Sequence, residues 1–199
     1  MRSDVGAAVS PGAERACLVF SVLCVAVLAC GLAAMGRPLI CPCGTIELWH
    51  ANANDAGTSQ HIADWYSLSH VIHGFLFYAA GWLLFGRGRR PPLGRALLLA
   101  VAVECAWELI ENSPAVIERY RTTTVSDAYA GDSVLNSLAD AGFMVAGFFF
   151  ARLAPVWATI VAAVAMELAA LYVIRDNLTL NVLMFLYPSD TITAWQSAR

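Results

Sequence analysis

The chain has 199 residues, 59% of them hydrophobic and only 14% charged, and its mean hydropathy is +0.62. A soluble domain of this size needs far more charge to cover its surface, so the composition calls for an integral membrane protein whose first partner is the lipid bilayer. A net charge of −3, with arginine as the sole basic residue besides histidine, gives no basic face and excludes nucleic acid as a partner.

Residues 1–15 are small and polar without periodicity and read as a short disordered tail ahead of a single transmembrane domain, 16–199. Ala16 to Met35 is an uncharged apolar run, about the length that a ~30 Å hydrocarbon core requires. The same run could be a signal peptide's apolar region, and Val27-Leu28-Ala29-Cys30 faintly resembles a lipoprotein cleavage site. Leucine is unusual before the small residue, which favours a retained transmembrane helix. Residues 37–66 form a polar loop with Trp49, His50, Asn52, Asn54, His61, Asp64 and Trp65, long enough to have a task of its own.

A second helix is expected over 67–85, opening with His70 and His73. Arg87, Arg89, Arg90 and Arg95 then surround the Pro91-Pro92 turn. The third helix runs over 93–111 and is stopped by Pro114, because the residue before a proline disfavours helix. A polar connection over 112–131 carries Glu118, Arg119, Arg121 and Asp127. Asp132 or Ser133 caps the fourth helix, 132–153, and Pro155 turns the chain into the fifth, 156–174. The apolar stretch in 175–199 is too short to span, so that segment is interfacial or re-entrant, held by Tyr187, Pro188 and Trp195. The expected fold is all-α: a bundle of about five transmembrane helices with an interfacial C-terminal segment.

Cys17, Cys24, Cys30 and Cys105 fall in apolar helices and read as small buried thiols. Cys41-Pro42-Cys43 is too little for a zinc site, and a disulfide between such close neighbours is expected to be strained. Arg2, Arg15, Arg87, Arg89, Arg90, Arg95 and Arg152 lie on the N-terminal side of the spans, against Arg37, Arg119, Arg121, Arg175 and Arg199 opposite. The positive-inside rule then puts the N-terminus in the cytoplasm and the C-terminus in the periplasm of a multi-pass protein of the bacterial inner membrane.

The polar residues inside the spans follow this alternation. His70 and His73 open the second helix. Glu104, Glu108 and Glu111 close the third on one stripe, at i, i+4 and i+7. Asp132, Asn136 and Asp140 open the fourth, and Glu167 lies near the end of the fifth, before Arg175, Asp176 and Asn177. At ~1.5 Å rise per residue these groups reach ~10–12 Å below the outer ends of their helices. An ionised side chain at the bilayer centre costs about 2.5–3.5 kcal/mol on insertion scales, so such groups must meet partners, protons or an ion. The candidate site is therefore His70, His73, Glu104, Glu108, Glu111, Asp132, Asn136 and Asp140, with Glu167 as a further wall. Interhelical pairing would explain one such group, but six carboxylates outnumber the nearby cations. A divalent metal ion is the candidate cofactor, with His70, His73, Glu108 and Asp132 as candidate ligands.

Five stretches carry a resemblance. They are Gln60–Ser67, Ser69–Phe75, Trp107–Pro114, Gly131–Ser137 and Ile174–Asn181, and they resemble an uncharacterised bacterial family of multi-pass membrane proteins. The resemblance covers roughly Trp49 to Gln196 and implies a cell-membrane protein without an assigned activity. A looser similarity is to VanZ-like membrane proteins, with Asp64, His70, Glu104, Glu108, Asp132 and Asn136 as the counterparts; it carries architecture, not chemistry.

Three functions compete. The first is an enzyme acting at the outer leaflet on a lipid or lipid-linked group, with His70 or His73 as acid/base and the acids as metal ligands or proton carriers. Arg119, Arg121, Arg175, Asp176 and Asn177 would then bind its headgroup. The second is a proton- or ion-coupled transporter, disfavoured by the apolar cytoplasmic half and the absence of an inverted repeat. The third is a non-catalytic assembly or lipid-binding factor.

Overall fold

The computed structural model describes residues 10–124 and 129–198, all helix, turn and loop, without a strand among them. Of the tail expected over 1–15, residues 1–9 lie outside the described residues, as do Asp127, Arg2 and Arg199, and residues 11–15 are helical rather than irregular. The first helix, α1, spans Pro11–Ala34 and so begins before the apolar run at Ala16. Ser10 sets that start: its side chain accepts from the Ala13 amide, and Pro11 occupies the first turn, where no intrahelical donor is needed.

The second helix, α2, spans Ser67–Gly81 and widens into a π turn over Trp82–Gly86. Helices α3 (Leu93–Glu111), α5 (Val134–Leu153) and α6 (Val156–Ile174) complete the set of five long helices. Four of the five, α1, α2 with its π turn, α5 and α6, are long and apolar enough to cross a membrane. These four point to a membrane protein. Their outer faces agree: Val19, Phe20, Val22 and Val27 of α1 and Val156, Trp157, Ile160 and Val161 of α6 are all exposed. Apolar faces of this extent need lipid or protein against them. α3 has the length to span but carries Arg95 and three glutamates, of which Glu104 and Glu108 are fully buried inside the bundle.

Two stretches expected to be irregular are helical. Within the polar connection, α4 spans Pro114–Thr123. Pro114 does stop α3, but it also starts α4, because a proline at the first helical position loses no hydrogen bond. In the C-terminal segment, α7 (Leu178–Leu186) and α8 (Asp190–Ser197) are short helices. Cys41 and Cys43, read as an unfavourable pair for a disulfide, do form one; the turn at Pro42 brings their Cα atoms to 5.1 Å, within ordinary disulfide reach.

Packing is tightest between α2 and α5. A methyl group at Gly74 would lie 2.1 Å from the Met144 carbonyl oxygen, and one at Gly147 would lie 2.1 Å from the Val71 carbonyl oxygen. The two glycines thus let the backbones touch reciprocally, the close approach that small residues provide between membrane helices. α1 packs along α3, and a core of Leu28, Leu32, Ala96, Ala100, Val101, Met144 and Phe148 fills the space between them and α5.

The loop over 37–66 is folded onto the start of α5. The amides of Val134 and Leu135 donate to the carbonyls of Pro38 and Leu39, and the Ser133 amide donates to Ser59. These carbonyls satisfy first-turn donors that no helix can satisfy internally. Gln60 Nε2 donates to the Gly131 carbonyl at 2.7 Å, and Arg37 reaches across to the carbonyls of Ala130 and Asp132. The loop therefore fixes where α5 begins, and with it Asp132 and Asp140.

Candidate functional site

The α2–α5 contact and the α2–α3 contact bring three polar stripes to one place. His70 Nδ1 lies 2.6 Å from Glu104 Oε1, and His73 Nδ1 lies 3.1 Å from Glu104 Oε2. One carboxylate with no exposure thus holds two imidazoles a single helical turn apart. Glu108, one turn further along α3, has Oε1 3.5 Å from His70 Nδ1, which is beyond a good hydrogen bond when that nitrogen already faces Glu104. From α5, Asp140 Oδ2 lies 3.8 Å from His70 Nε2, while its Oδ1 accepts from Ser67 Oγ at 2.9 Å.

Asp132 sits just before α5 and is held by several donors. Asn112 Nδ2 donates to its Oδ2 at 2.6 Å, Tyr129 OH donates to its Oδ1 at 2.9 Å, and its own amide donates to Asn112 Oδ1. Burial, followed by the charges of Asp132 and Glu111, pushes the Tyr129 phenol well above its ordinary pKa, so it is a donor at all physiological pH. His70, His73, Glu111, Asp132 and Asp140 line the floor of one cavity of about 750 Å3. Its walls include Tyr120, Tyr129, Phe77, Trp107 and Phe185, and Leu76, Val103 and Leu186 lie both on its lining and on the exposed outside of the bundle. Its roof is the folded loop, at Ala53, Asn54, Asp55, Thr58 and Ser59.

The other expected residues lie elsewhere. Asn136 is buried and donates to the His61 carbonyl at 2.9 Å, which makes it a tie between α5 and the loop. Glu167 does not join the cluster: its carboxylate accepts from the amides of Leu178 and Thr179 and so caps α7, where anions are favoured. Asn177 caps the same helix through Oδ1 to the Leu180 amide. Asp176 accepts from Tyr66 OH and the Asn177 amide, and burial pushes its pKa up to about 6. Arg119 donates through Nε and a terminal nitrogen to the Phe185 carbonyl and stacks on that ring. Arg175 donates to the carbonyls of Trp195 and Ala198, and Arg121 borders a separate cleft with Arg37 and Glu118. None of these three arginines lines the cavity, and two of them are engaged by backbone oxygens.

Sequence reasoning missed Ser67, Asn112, Tyr120 and Tyr129. Ser67 lies one turn before His70 and Asn112 one turn after Glu108, so extending each stripe by a turn would have found both. It also missed a second cluster in the loop, where His50 sits between Glu47 Oε2 and Asp55 Oδ1 at 2.8 Å each. Burial disfavours the His50 imidazolium, but the hydrogen bonds and charges of Glu47 and Asp55 outweigh it and raise its pKa.

A family model described as "Protein of unknown function (DUF2585)" matches residues 32–198. The chain belongs to this family. A UPF0314 protein of Rhizobium etli strain CIAT 652 is 53% identical over 88% of this chain and 90% of its own length. Another, of Novosphingobium aromaticivorans, is 54% identical over 83% of this chain and 84% of its own. The UPF0314 protein of Sinorhizobium fredii is 47% identical over 97% of this chain and 98% of its own. No solved structure matches. The DUF2585 match takes in the whole loop, all the helices from α2 onward and every residue of the buried cluster.

Proposed function

We propose that this DUF2585 chain is an enzyme of the bacterial inner membrane that acts on a lipid or lipid-linked group in the periplasmic leaflet. In this reading the N-terminus is cytoplasmic, the C-terminus periplasmic, and 11–198 form a single transmembrane domain. The observation that carries it is the cavity: a floor of imidazoles and carboxylates, with an apolar rim at Leu76, Val103 and Leu186 that is exposed on the outside of the bundle. A site of about 750 Å3 that is apolar at its edge and polar at its base fits an amphipathic molecule, entering from the bilayer with its reactive group downward.

His73 is the acid/base of this proposal. Glu104 holds its Nδ1, which leaves Nε2 as the atom that exchanges a proton with substrate. Among the described residues no arginine lines the cavity, so its chemistry favours a hydroxylated or amine-bearing head over an unneutralised phosphate. A transport role has less support, because Phe75 follows the histidines along α2, Met144 and Phe148 follow Asp140 along α5, and all three are buried apolar residues. The test is lipid profiling of a deletion strain complemented with wild type or His73→Gln. A lipid that accumulates on deletion, is cleared by wild type and persists with H73Q supports the reading; an unchanged profile, or full clearance by H73Q, refutes it.

A further inference from the structure

Glu108 stands apart from every other acid in the bundle. It is fully buried, and neither of its carboxylate oxygens has a hydrogen-bond partner. Its neighbours are served: Glu104 by two imidazoles, Asp132 by Asn112 and Tyr129, Asp140 by Ser67. A buried carboxylate without a donor is costly, far more so if ionised, and native proteins rarely leave one. Glu108 also belongs to two candidate ligand groups that adjoin at its carboxylate. His70, Glu108 and Asp140 each offer an atom within 4.8 Å of the others, and so do Glu108, Glu111 and Asp132. Ligand atoms on opposite sides of an ion bound at ~2.1–2.3 Å stand about that far apart.

We propose that His70, Glu108 and Asp140 hold a divalent first-row transition-metal ion at the floor of the cavity, with Glu111 and Asp132 on its far side. The donor set, one imidazole and several carboxylates, suits manganese, iron or zinc. His70 Nδ1 faces Glu104 at 2.6 Å, with Glu108 Oε1 3.5 Å from the same nitrogen, and Nε2, 3.8 Å from Asp140, is the nitrogen left for a metal. A carboxylate behind a ligating imidazole fixes its tautomer and orientation, so Glu104 is a positioning residue and not a ligand. The charges agree as well. Among the described residues, Glu104, Glu108 and Asp140 pair only with His70 and His73, and Arg37 donates to the backbone carbonyls of Ala130 and Asp132 and not to a carboxylate. His70 and Asp140 line the cavity whereas Glu108 lies behind them, so the ion would keep open positions toward whatever enters. The cation stands or falls independently of the substrate reading above.

The test is Mn2+ binding to the purified protein in detergent, after chelator treatment, followed by the electron paramagnetic resonance of free Mn2+ and by thermal unfolding with and without the ion. Wild type is expected to bind at least one ion per chain and to gain thermal stability from it. Glu108→Gln and Asp140→Asn should weaken binding at least 100-fold, and Glu104→Gln about 10–100-fold, the range of ligand-orienting residues. His50→Gln, which breaks the loop group of Glu47, His50 and His61, should leave binding unchanged. Metal-free E108Q should melt no lower than metal-free wild type, which separates lost binding from lost folding, with D140N as the second variant. Absence of Mn2+ binding by wild type and of a competing Zn2+ or Fe2+, unchanged affinity in E108Q, or loss of binding in H50Q would overturn the proposal.

Discussion

Glu104 and Glu108 are one turn apart on the same face of α3, both fully buried, yet removing their charges should change stability in opposite directions. Glu104 accepts from two imidazoles, at 2.6 and 3.1 Å. Glu104→Gln keeps the volume but discards the carboxylate that buried His70 and half-buried His73 both face. Breaking a buried pair in this way costs about 3–5 kcal/mol. Glu108 has no hydrogen bond to lose. Glu108→Gln in metal-free protein removes an unpartnered carboxylate, and relief of that burial is worth about 1–3 kcal/mol on the scale of unsatisfied buried groups. The two variants should therefore differ by about 4–8 kcal/mol, the sum of these ranges. The assay is reversible unfolding of purified protein in mixed micelles, with chelator present throughout. Equal destabilisation by the two variants, or a larger loss in E108Q, would refute the assignment of Glu104 as hydrogen-bonded and Glu108 as lacking a hydrogen bond.

Gly74→Ala should separate α2 from α5, because its new methyl group would sit 2.1 Å from the Met144 carbonyl oxygen; a loss of about 1–3 kcal/mol is expected in the same unfolding assay, and wild-type stability would argue against the close contact. His50 has a folded pKa above its ordinary value, so its contribution to the loop is complete below about pH 6.5 and is lost as pH rises through the raised value. Hydrogen exchange at Gly57 and Thr58, corrected for its intrinsic pH dependence, should accelerate over that window in wild type and be pH-independent in His50→Gln.

The cluster was readable before the fold because membrane helices make two simple statements. Helical spacing put Glu104, Glu108 and Glu111 on one stripe and Asp132, Asn136 and Asp140 on another, and alternation of spans sent both, with His70 and His73, toward one face of the membrane. That argument used only rise per residue and the cost of charge in lipid. It did not extend to Glu167, whose carboxylate turned to the start of α7, or to Arg119 and Arg175, whose guanidinium groups found carbonyls of α7 and α8. Depth places a residue along the membrane normal and says nothing of its rotation about the bundle.

Composition, periodicity and punctuation by themselves determined the class of protein, the long helices and the stripe that holds Glu104, Glu108 and Glu111. Tertiary structure alone decided which acids acquired partners, since that depends on helix rotation, on the glycine contact that sets the α2–α5 distance, and on a loop whose carbonyls fix the start of α5. The pairing of Glu104 with two imidazoles, and the lack of a hydrogen bond to Glu108 one turn away, are products of that packing; nothing in their spacing distinguishes them.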